Sequence, residues 1–598
     1  MRTKGEWVSA SRLFQHAVSS YAGLTIAYWF CVLFGLSQGI GLTLAIGSAF
    51  TFAWISFRLQ RQPDANGDLL AISAFALAFA LGTSALYAFN PDDSTFFHRI
   101  AYLGLREELF RPRYETRLAL DHIAPISAAH LMTSWEFFLV ELGRLIGSEV
   151  SGYQIGGTFL SIALYTFAVN FVVAHFFPNS TAFSRLFAVC TVMLFLTFDA
   201  AENRRIGSWL FLGGWTGKCF FAAVLIALFP AADRAFRFGS LGDWFFAYCL
   251  IIMLLGLTGS ALFTLPIAAA ALILAYMALR RTWRLGARPL ALILIPVAVG
   301  GLFILKFGNL RDETFWHVWE KLPYRDYVAL ALSGREMLLY LLLFPLILFR
   351  RTIFADHQAL AAFALYQAIL ALIVLNPLLL PVFFKLVPSD GFWRTYYLFQ
   401  YPTIVALVSV AFIELIQQRR QTYALLLGLA LFLGISSGSS VFGLQNSWRY
   451  PAHFKPVFQE KLPESELHSV NEAKKACPGF RDFSIVLAPE PWEVTVQMIA
   501  PSLTSIAARN MHHNFLNTNN ETISEPELGR IRARDFVSGH VQGNIDDFRH
   551  YAALSDIIAM RPMAVSAAAP YVVGFKEVSS NKNYVVFCRE QVITGRTH

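Results

Sequence analysis

Apolar runs long enough to cross a lipid bilayer recur along most of the chain and constrain its fold more than any other feature. A transmembrane helix needs about 20 mostly apolar residues. Segments that approach this length lie near 21–36, 40–57, 69–89, 153–177, 184–198, 218–231, 243–257, 260–279, 289–306, 336–349, 359–384, 395–416 and 422–442. The sequence therefore predicts an α-helical polytopic membrane protein with about 13 transmembrane helices.

The composition supports a membrane protein and argues against a nucleic-acid partner. Of the 598 residues, 56% are hydrophobic and 15% are charged, whereas soluble domains carry about 25% charged residues. The formal net charge is +8, but the basic residues mostly stand in short clusters between apolar runs. This is how orientation signals of membrane proteins are distributed, so membrane lipids and not nucleic acid are the expected surroundings.

The basic clusters fall in every second loop between the apolar runs. They comprise Arg58/Arg61, Arg185, Arg234/Arg237, Arg280/Arg281/Arg284/Arg288, Arg350/Arg351 and Arg419/Arg420. Because positively charged loops stay in the cytoplasm, these loops and the N-terminus are predicted to be cytoplasmic. The alternate loops, 90–152, 199–217, 307–335 and 385–394, and everything after about residue 443 are then predicted to be extracytoplasmic.

Two adjacent carboxylates, Asp92 and Asp93, stand just after the third apolar run. Carboxylates at the mouth of a membrane span are costly unless they meet water, cations or a reacting group, so the pair is predicted to be the acidic centre of an active site. The alternative is that one caps a helix that begins nearby and the other interacts with its dipole. The sequence leaves open which aspartate carries the chemistry.

The loop 90–152 contains two segments with apolar residues at helical spacing, from Phe96 to Leu109 and from Met132 to Ile146. This spacing predicts two helices along the membrane surface. Trp135, Phe137 and Phe138 would then lie at the level of the lipid headgroups.

The tail 443–598 contains no apolar run that could span a membrane. A strand over 484–488, a helix over 490–499, a helix near 545–554 and strands near 556–560, 570–574 and 584–588 predict a small α/β domain. The chain is thus divided into a transmembrane module, 1–442, and an extracytoplasmic domain, 443–598. In an oxidising compartment Cys477 and Cys588 could form a disulfide; two free thiols are the alternative.

Several short motifs on the predicted extracytoplasmic side resemble those of the GT-C glycosyltransferases, which are polytopic membrane enzymes. The motifs are Asn90-Pro91-Asp92-Asp93, the stretch 197–205 with Asp199 and Glu202, Gly214-Trp215-Thr216-Gly217-Lys218, Phe392-Trp393-Arg394-Thr395-Tyr396-Tyr397 and Gln400-Tyr401-Pro402. Their order and shared side of the membrane carry the resemblance. The chain departs from the common GT-C layout in having three apolar runs before the acidic loop instead of one.

The resemblance implies transfer of one sugar, a hexose or a pentose, from a polyprenyl-phosphate donor to a glycan, lipid or protein acceptor of the bacterial cell envelope. Asp93 or Asp92 would be the base, and these two would also be the ligands if a divalent cation, Mg²⁺ or Mn²⁺, is needed. The protein would lie in the bacterial inner membrane. Candidate cations for the lipid phosphate are Arg99, Arg204, Arg205, Lys218 and Arg394.

Some of these residues also have simpler possible roles. Asp199 and Glu202 could be solvated charges paired with neighbouring arginines, and Lys218 could extend its ammonium to the headgroups. Two other functions stay open: an O-antigen ligase or polymerase, which uses a diphosphate-linked glycan, and a lipid or solute transporter. A transporter predicts charges at mid-membrane and internal repeats, and neither is visible in the sequence.

Overall fold

The computed structural model places the described residues in two compact units. The described residues are 9–59, 69–85, 115–119, 122–125, 131–146, 152–198, 206, 216–281, 286–307, 334–348, 357–386, 393–436, 462, 464–477, 480, 484–500, 503–507, 525–540 and 542–590. The first unit falls within residues 1–88 and 127–459, and the second within 89–126 and 460–598.

The first unit is built from helices. They are α1 (Ala10–Phe34), α2 (Gln38–Leu59), α3 (Leu69–Ala85), α4 (Trp135–Ile146), α5 (Gly157–Phe176), α6 (Ala182–Phe198), α7 (Gly217–Leu225), α8 (Leu228–Phe238), α9 (Leu241–Leu257), α10 (Ala261–Arg280), α11 (Ala287–Phe307), α12 (Gly334–Leu341), α13 (Leu343–Leu348), α14 (His357–Val374), α15 (Leu380–Leu386), α16 (Tyr401–Gln417) and α17 (Gln421–Ser436). A π turn, Gly152–Gly156, precedes α5, and a 3₁₀ helix, Trp393–Leu398, precedes α16.

Six helices within the described residues are long and apolar enough to cross a membrane. They are Ala10–Phe34, Gly39–Leu59, Gln154–Phe176, Ala261–Arg280, Ala287–Phe307 and Arg394–Gln417. Helices α7 and α8, which meet at a bend of 42°, pass the same test together, and several shorter apolar helices accompany them. The chain is a mostly helical protein with many apolar helices, and the figure of about 13 spans stays a prediction.

Helix α9 runs between two polar regions of the first unit. In its first turn the Asp243 carboxylate accepts a hydrogen bond from Arg234 Nε at 3.0 Å. At its other end, the Leu257 carbonyl lies against Gly217 at the start of α7. The bent pair α7–α8 connects the same two regions, because Gly217 begins α7 and Arg234 belongs to α8.

The region around the end of α8 gathers arginines from the predicted cytoplasmic loops. Arg280 Nη2 donates to the carbonyl of Phe236, and Arg288 Nη1 donates to that of Gly239 at 3.2 Å. The last carbonyls of a helix have no partner within the helix, and cations stabilise its negative end. Two arginines of the predicted cytoplasmic clusters, Arg280 and Arg288, therefore also cap α8.

The second unit has a seven-stranded sheet with the order β2-β1-β4-β3-β5-β7-β6. The strands are β1 (Glu115–Ala119), β2 (His122–Pro125), β3 (Ile485–Leu487), β4 (Thr504–Ser505), β5 (Ile557–Met560), β6 (Phe575–Ser580) and β7 (Val585–Arg589). The helices are α18 (Glu464–Ala476), α19 (Glu490–Ile499), α20 (Glu525–Val537), α21 (Ile545–Leu554) and α22 (Pro562–Ala568), and a 3₁₀ turn follows at Ala569–Tyr571. β1, β4, β3 and β5 pair in parallel, and the remaining pairs are antiparallel.

Alternate residues of the central strands enter two separate cores. Ile557 packs with Trp492 and Cys588, whereas Ile558 packs with Phe548 and other residues of the second core. Successive strand residues point to opposite faces, so helices cover the sheet on both sides. A disulfide joins Cys477 to Cys588 with a Cα–Cα distance of 5.7 Å, and it links the end of α18 to β7.

The strands of the long predicted loop are part of this sheet. The hairpin β1–β2 lies at one edge, where Ala119 of β1 pairs in parallel with Ser505 of β4. The sequence-based division left all of 90–152 with the transmembrane module, whereas this hairpin belongs to the second unit. Further along, the strand predicted at 570–574 is found at Phe575–Ser580.

Candidate functional site

The segment 131–134, at the end of the predicted acidic loop, is held against α1. Tyr28 Oη donates to the Leu131 carbonyl at 3.0 Å, and Trp29 Nε1 donates to the Met132 carbonyl at 2.8 Å. Both donors are buried. Two buried side-chain donors therefore satisfy two backbone acceptors of a segment that precedes a helix.

Ser134 joins three helices at this point. Its hydroxyl lies 3.0 Å from Tyr21 Oη and 2.9 Å from Thr25 Oγ1 of α1, and its backbone N–H donates to the Gly256 carbonyl of α9 at 2.8 Å. A Cβ at Gly256 would lie 2.5 Å from Thr25 Oγ1. Only glycine allows α9 to approach this closely, so the start of α4 is fixed between α1 and α9.

Glu136, in the first turn of α4, places a buried carboxylate at the start of two helices. It accepts hydrogen bonds from its own backbone N–H, from the Thr133 side chain and from the backbone N–H of Gly217, the first residue of α7. Its residue is 5% exposed, and Oε2 has no hydrogen-bond partner. Burial raises the pKa of this carboxyl to about 7, although the three hydrogen bonds act in the opposite direction.

The start of α7 leaves no room for a side chain before Lys218. A Cβ at Gly217 would lie 2.0 Å from the Leu257 carbonyl oxygen and 3.2 Å from Glu136 Oε1. The glycine of the Thr-Gly-Lys sequence is thus explained by close backbone contact. Lys218 itself is buried, and its side chain starts beside the last turn of α9.

Arg394 reaches the same stretch of chain from the 3₁₀ helix before α16. Its Nη1 donates to the hydroxyl of Ser260, which stands three residues after Leu257. Thr258 Oγ1 lies 3.4 Å from Ser260 Oγ. Residues 257–260 therefore lie between the helix start that carries Lys218 and the guanidinium of Arg394.

Gln400, from another of the sequence motifs, supports the bend between α7 and α8. Its Nε2 donates to the Leu225 carbonyl at 3.3 Å, at the last residue of α7. A carbonyl at a helix break lacks its partner within the helix, so Gln400 replaces a missing backbone bond. Gln400 is a structural residue of this site.

The structure thus brings two of the predicted phosphate-binding cations, Lys218 and Arg394, to one short segment. The other predicted site residues lie outside the described residues: Asp92, Asp93, Arg99, Asp199, Glu202, Arg204 and Arg205. Within the part of the chain that is described, no three histidine, cysteine or acidic residues are grouped as metal ligands. The proposed metal ligands, Asp92 and Asp93, are outside that part.

Two features of the site differ from the sequence prediction. The helix α4 forms as predicted, but Trp135 and Phe137 are buried within the first unit. The ring centroids of Trp135 and Phe220 are 4.4 Å apart, and those of Phe137 and Tyr28 are 4.9 Å apart. Their aromatic rings therefore pack against protein and not at the headgroups, because α1 and α7 cover this helix.

The sequence prediction also missed Glu136. The sequence Thr133-Ser134-Trp135-Glu136 has the spacing of a capping box, with a hydroxyl residue followed three positions later by glutamate. That signal predicts the start of a helix and a local role for the glutamate. It does not predict that a second helix, α7, begins against the same carboxylate, because that contact joins residues 81 positions apart in sequence.

Comparison with protein-family models and with curated proteins finds no match to this chain. Among solved structures, the chain is similar to the crystal structure of ArnT from Cupriavidus metallidurans bound to undecaprenyl phosphate. The two are 14% identical with a TM-score of 0.47, over 89% of this chain and 100% of that one.

Proposed function

We propose that this chain is a membrane glycosyltransferase that moves one sugar from a polyprenyl-phosphate donor to an extracytoplasmic acceptor. The acceptor would be a cell-envelope glycan, a lipid-linked glycan or a protein. The enzyme would lie in the bacterial inner membrane with its N-terminus in the cytoplasm, its basic loops on that side and its C-terminal unit outside.

The observation that supports this proposal most is that the start of α7, which carries Lys218, and the guanidinium of Arg394 both contact residues 257–260. The two cations come from distant parts of the sequence, and the elements that carry them contact the segment between α9 and α10. A leaving lipid phosphate needs such charges near a membrane surface, where few water molecules compete. Arginine can bind two phosphate oxygens at once, and lysine supplies a compact charge.

In the proposed reaction, a carboxylate of the pair Asp92 and Asp93 takes the proton of an acceptor hydroxyl. The acceptor oxygen then forms a bond to the anomeric carbon of the sugar, and the bond from this carbon to the phosphate oxygen breaks. The lipid phosphate leaves with that bond's electron pair, and Lys218 and Arg394 bind its charge. This direct displacement inverts the configuration at the anomeric carbon.

The test replaces the proposed base by an amide of the same shape. Asp93→Asn or Asp92→Asn is expected to lower the rate of sugar transfer from a polyprenyl-phosphate-sugar in proteoliposomes by about 100-fold or more. Membrane insertion and expression should be unchanged. Asp121→Asn, in the same predicted loop, is the matched control and should retain activity. Full activity in both test variants contradicts the catalytic assignment.

The donor is tested separately by comparing monophosphate- and diphosphate-linked sugars. A transferase of the proposed kind uses the monophosphate donor. Exclusive use of the diphosphate-linked glycan would instead indicate the ligase or polymerase class.

A further inference from the structure

The proposed reaction gives no role to the buried oxygen Oε2 of Glu136. This oxygen has no hydrogen-bond partner although the residue is 5% exposed. Buried polar atoms are nearly always hydrogen-bonded, because leaving one without a partner costs about 1–3 kcal/mol. The carboxylate that carries it accepts from the backbone N–H of Gly217, the residue before Lys218, at the start of a helix, where N–H groups are presented to anions.

The groups around Glu136 come from two neighbouring helices. Tyr21 and Tyr28 of α1 are close enough to interact electrostatically with it. In α7, Lys218 and Cys219 follow Gly217 directly, and the Leu257 carbonyl of α9 lies against Gly217. Lys218 is the cation of this set, so an anion at the start of α7 would meet one ammonium and one carboxyl group.

The two charged residues further along α4 bind each other. Arg144 Nη1 lies 3.3 Å from Glu141 Oε1, and both side chains are about a quarter exposed. Because Glu141 is paired with Arg144 and not with Glu136, it is a suitable control residue on the same helix.

We propose that Glu136 is a further binding residue for the carrier phosphate: its carboxyl, when protonated, donates a hydrogen bond from Oε2 to a phosphate oxygen at the start of α7. When ionised, the same carboxylate repels the phosphate. The inference rests on the proposed function and adds a residue to its phosphate site. Oε1 keeps the hydrogen bond from Gly217 in both states, so only the oxygen without a partner changes its role.

The arrangement predicts a pH dependence opposite to that of a site made of cations alone. Lysine and arginine bind a phosphate dianion more tightly than a monoanion, so a purely cationic site gains affinity as the phosphate loses its second proton near pH 6. A protonated Glu136 is needed here, and its population falls as the pH rises through about 7. Affinity for the lipid phosphate should therefore fall with rising pH.

The experiment measures binding of undecaprenyl phosphate to the full chain in lipid nanodiscs from pH 6 to pH 8. Titration of Glu136 alone would weaken binding about tenfold from pH 6 to pH 8, and the growing dianion fraction of the phosphate offsets about twofold of this, so wild type is expected to bind about fivefold more weakly at pH 8. Glu136→Gln keeps the shape of the side chain, and its amide can donate to phosphate at every pH. This variant should bind at pH 8 at least as tightly as wild type does at pH 6, whereas Glu141→Gln should behave like wild type.

The sources of phosphate are separated by two further probes in the same nanodiscs. Phosphatidic acid and inorganic phosphate carry the same head chemistry without the polyprenyl chain. Binding as tight as that of undecaprenyl phosphate by either probe would overturn the assignment of this site to the carrier lipid.

Two further results separate the role of Glu136 from the proposed function. Glu136→Gln with the pH profile of wild type would mean that Glu136 is only structural, while the proposed function stands. No binding of undecaprenyl phosphate by wild type at any pH would overturn both. If Glu136→Gln does not fold, calorimetry of wild type in two buffers of different ionisation enthalpy replaces it: uptake of about one proton at pH 8 supports the proposal, and release or no exchange contradicts it.

Discussion

Glu136 and Asp233 are buried carboxylates near opposite ends of the bent pair α7–α8, and they differ in how their oxygens are used. Asp233 accepts from Tyr276 at Oδ1, and its Oδ2 lies 2.9 Å from His175 Nε2 and 3.3 Å from Arg237 Nη1. Glu136 has donors near Oε1 and none at Oε2. One carboxylate is fully satisfied by its neighbours, whereas the other is satisfied on one side only.

The difference separates a structural group from a candidate binding group. A buried carboxylate with partners at both oxygens links the helices around it, here α8 and α10 through Arg237 and Tyr276. A half-satisfied carboxylate weakens the resting protein, and natural proteins keep such defects mainly at functional sites. The comparison therefore favours the start of α7, and not the region of Asp233 in α8, as the position of the proposed phosphate site.

The largest effect on stability is expected from Asp233→Asn. The substitution leaves the half-buried Arg237 without its counter-charge; breaking a fully buried pair costs about 3–5 kcal/mol, and the loss here should lie near the lower end of that range. Thermal unfolding in nanodiscs should show a markedly lower midpoint. Asp243→Asn, in the partly exposed pair with Arg234, is the control with a smaller effect. An equal fall of the thermal midpoint in both variants would contradict the structural role assigned to Asp233.

The second prediction concerns the stability of the ligand-free protein as a function of pH. The folded-state pKa of Glu136 is raised to about 7, so the folded state keeps a proton that the unfolded chain releases near pH 4.5. The stabilising contribution of the Glu136 carboxyl should be fully present below about pH 4.5 and should fall by about 3 kcal/mol as the pH rises to above 7.

The measurement compares the thermal midpoints of wild type and Glu136→Gln over this pH range. The difference between their two curves isolates the contribution of Glu136 from that of all other acids. A constant difference would show that the carboxyl titrates normally, and Glu136 would then resemble Asp233 as a purely structural group.

The smallest of the three effects is expected from Gly217→Ala, at about 2 kcal/mol. The added methyl would overlap the Leu257 carbonyl oxygen, so α7 or α9 must shift. The start of α7 would move away from Glu136, and transfer activity should fall together with the thermal midpoint. Gly82→Ala is the matched control, because a Cβ there meets nothing within 4 Å. An unchanged Gly217→Ala protein would contradict the close approach of the two helices.

Local patterns in the sequence predict many individual elements well. The helix predicted at 490–499 is found as Glu490–Ile499, and the helix predicted near 545–554 is found as Ile545–Leu554. Apolar content alone does not predict where a helix is interrupted. The run 359–384 forms two helices, α14 and α15, with Pro377 between them. Proline removes a backbone donor and disfavours the helical conformation of the residue before it.

Contacts between distant segments are the part that the sequence does not reveal. The hairpin β1–β2 enters the sheet through backbone pairing of β1 with β4, and such pairing needs no apolar pattern at the edge of a sheet. The role of Glu136 depends in the same way on Gly217, since the capping-box spacing alone explains only its contacts within α4.

By itself, the amino-acid sequence determined the membrane class of the chain, the helical character of its apolar runs and the change to an α/β tail. These follow from composition and periodicity, which act over neighbouring residues. Only the tertiary structure decided that Lys218, Arg394 and Glu136 approach one end of α9. The physical reason is that burial and charge proximity, which set the chemistry of a carboxylate, arise from helices packed together across long sequence separations.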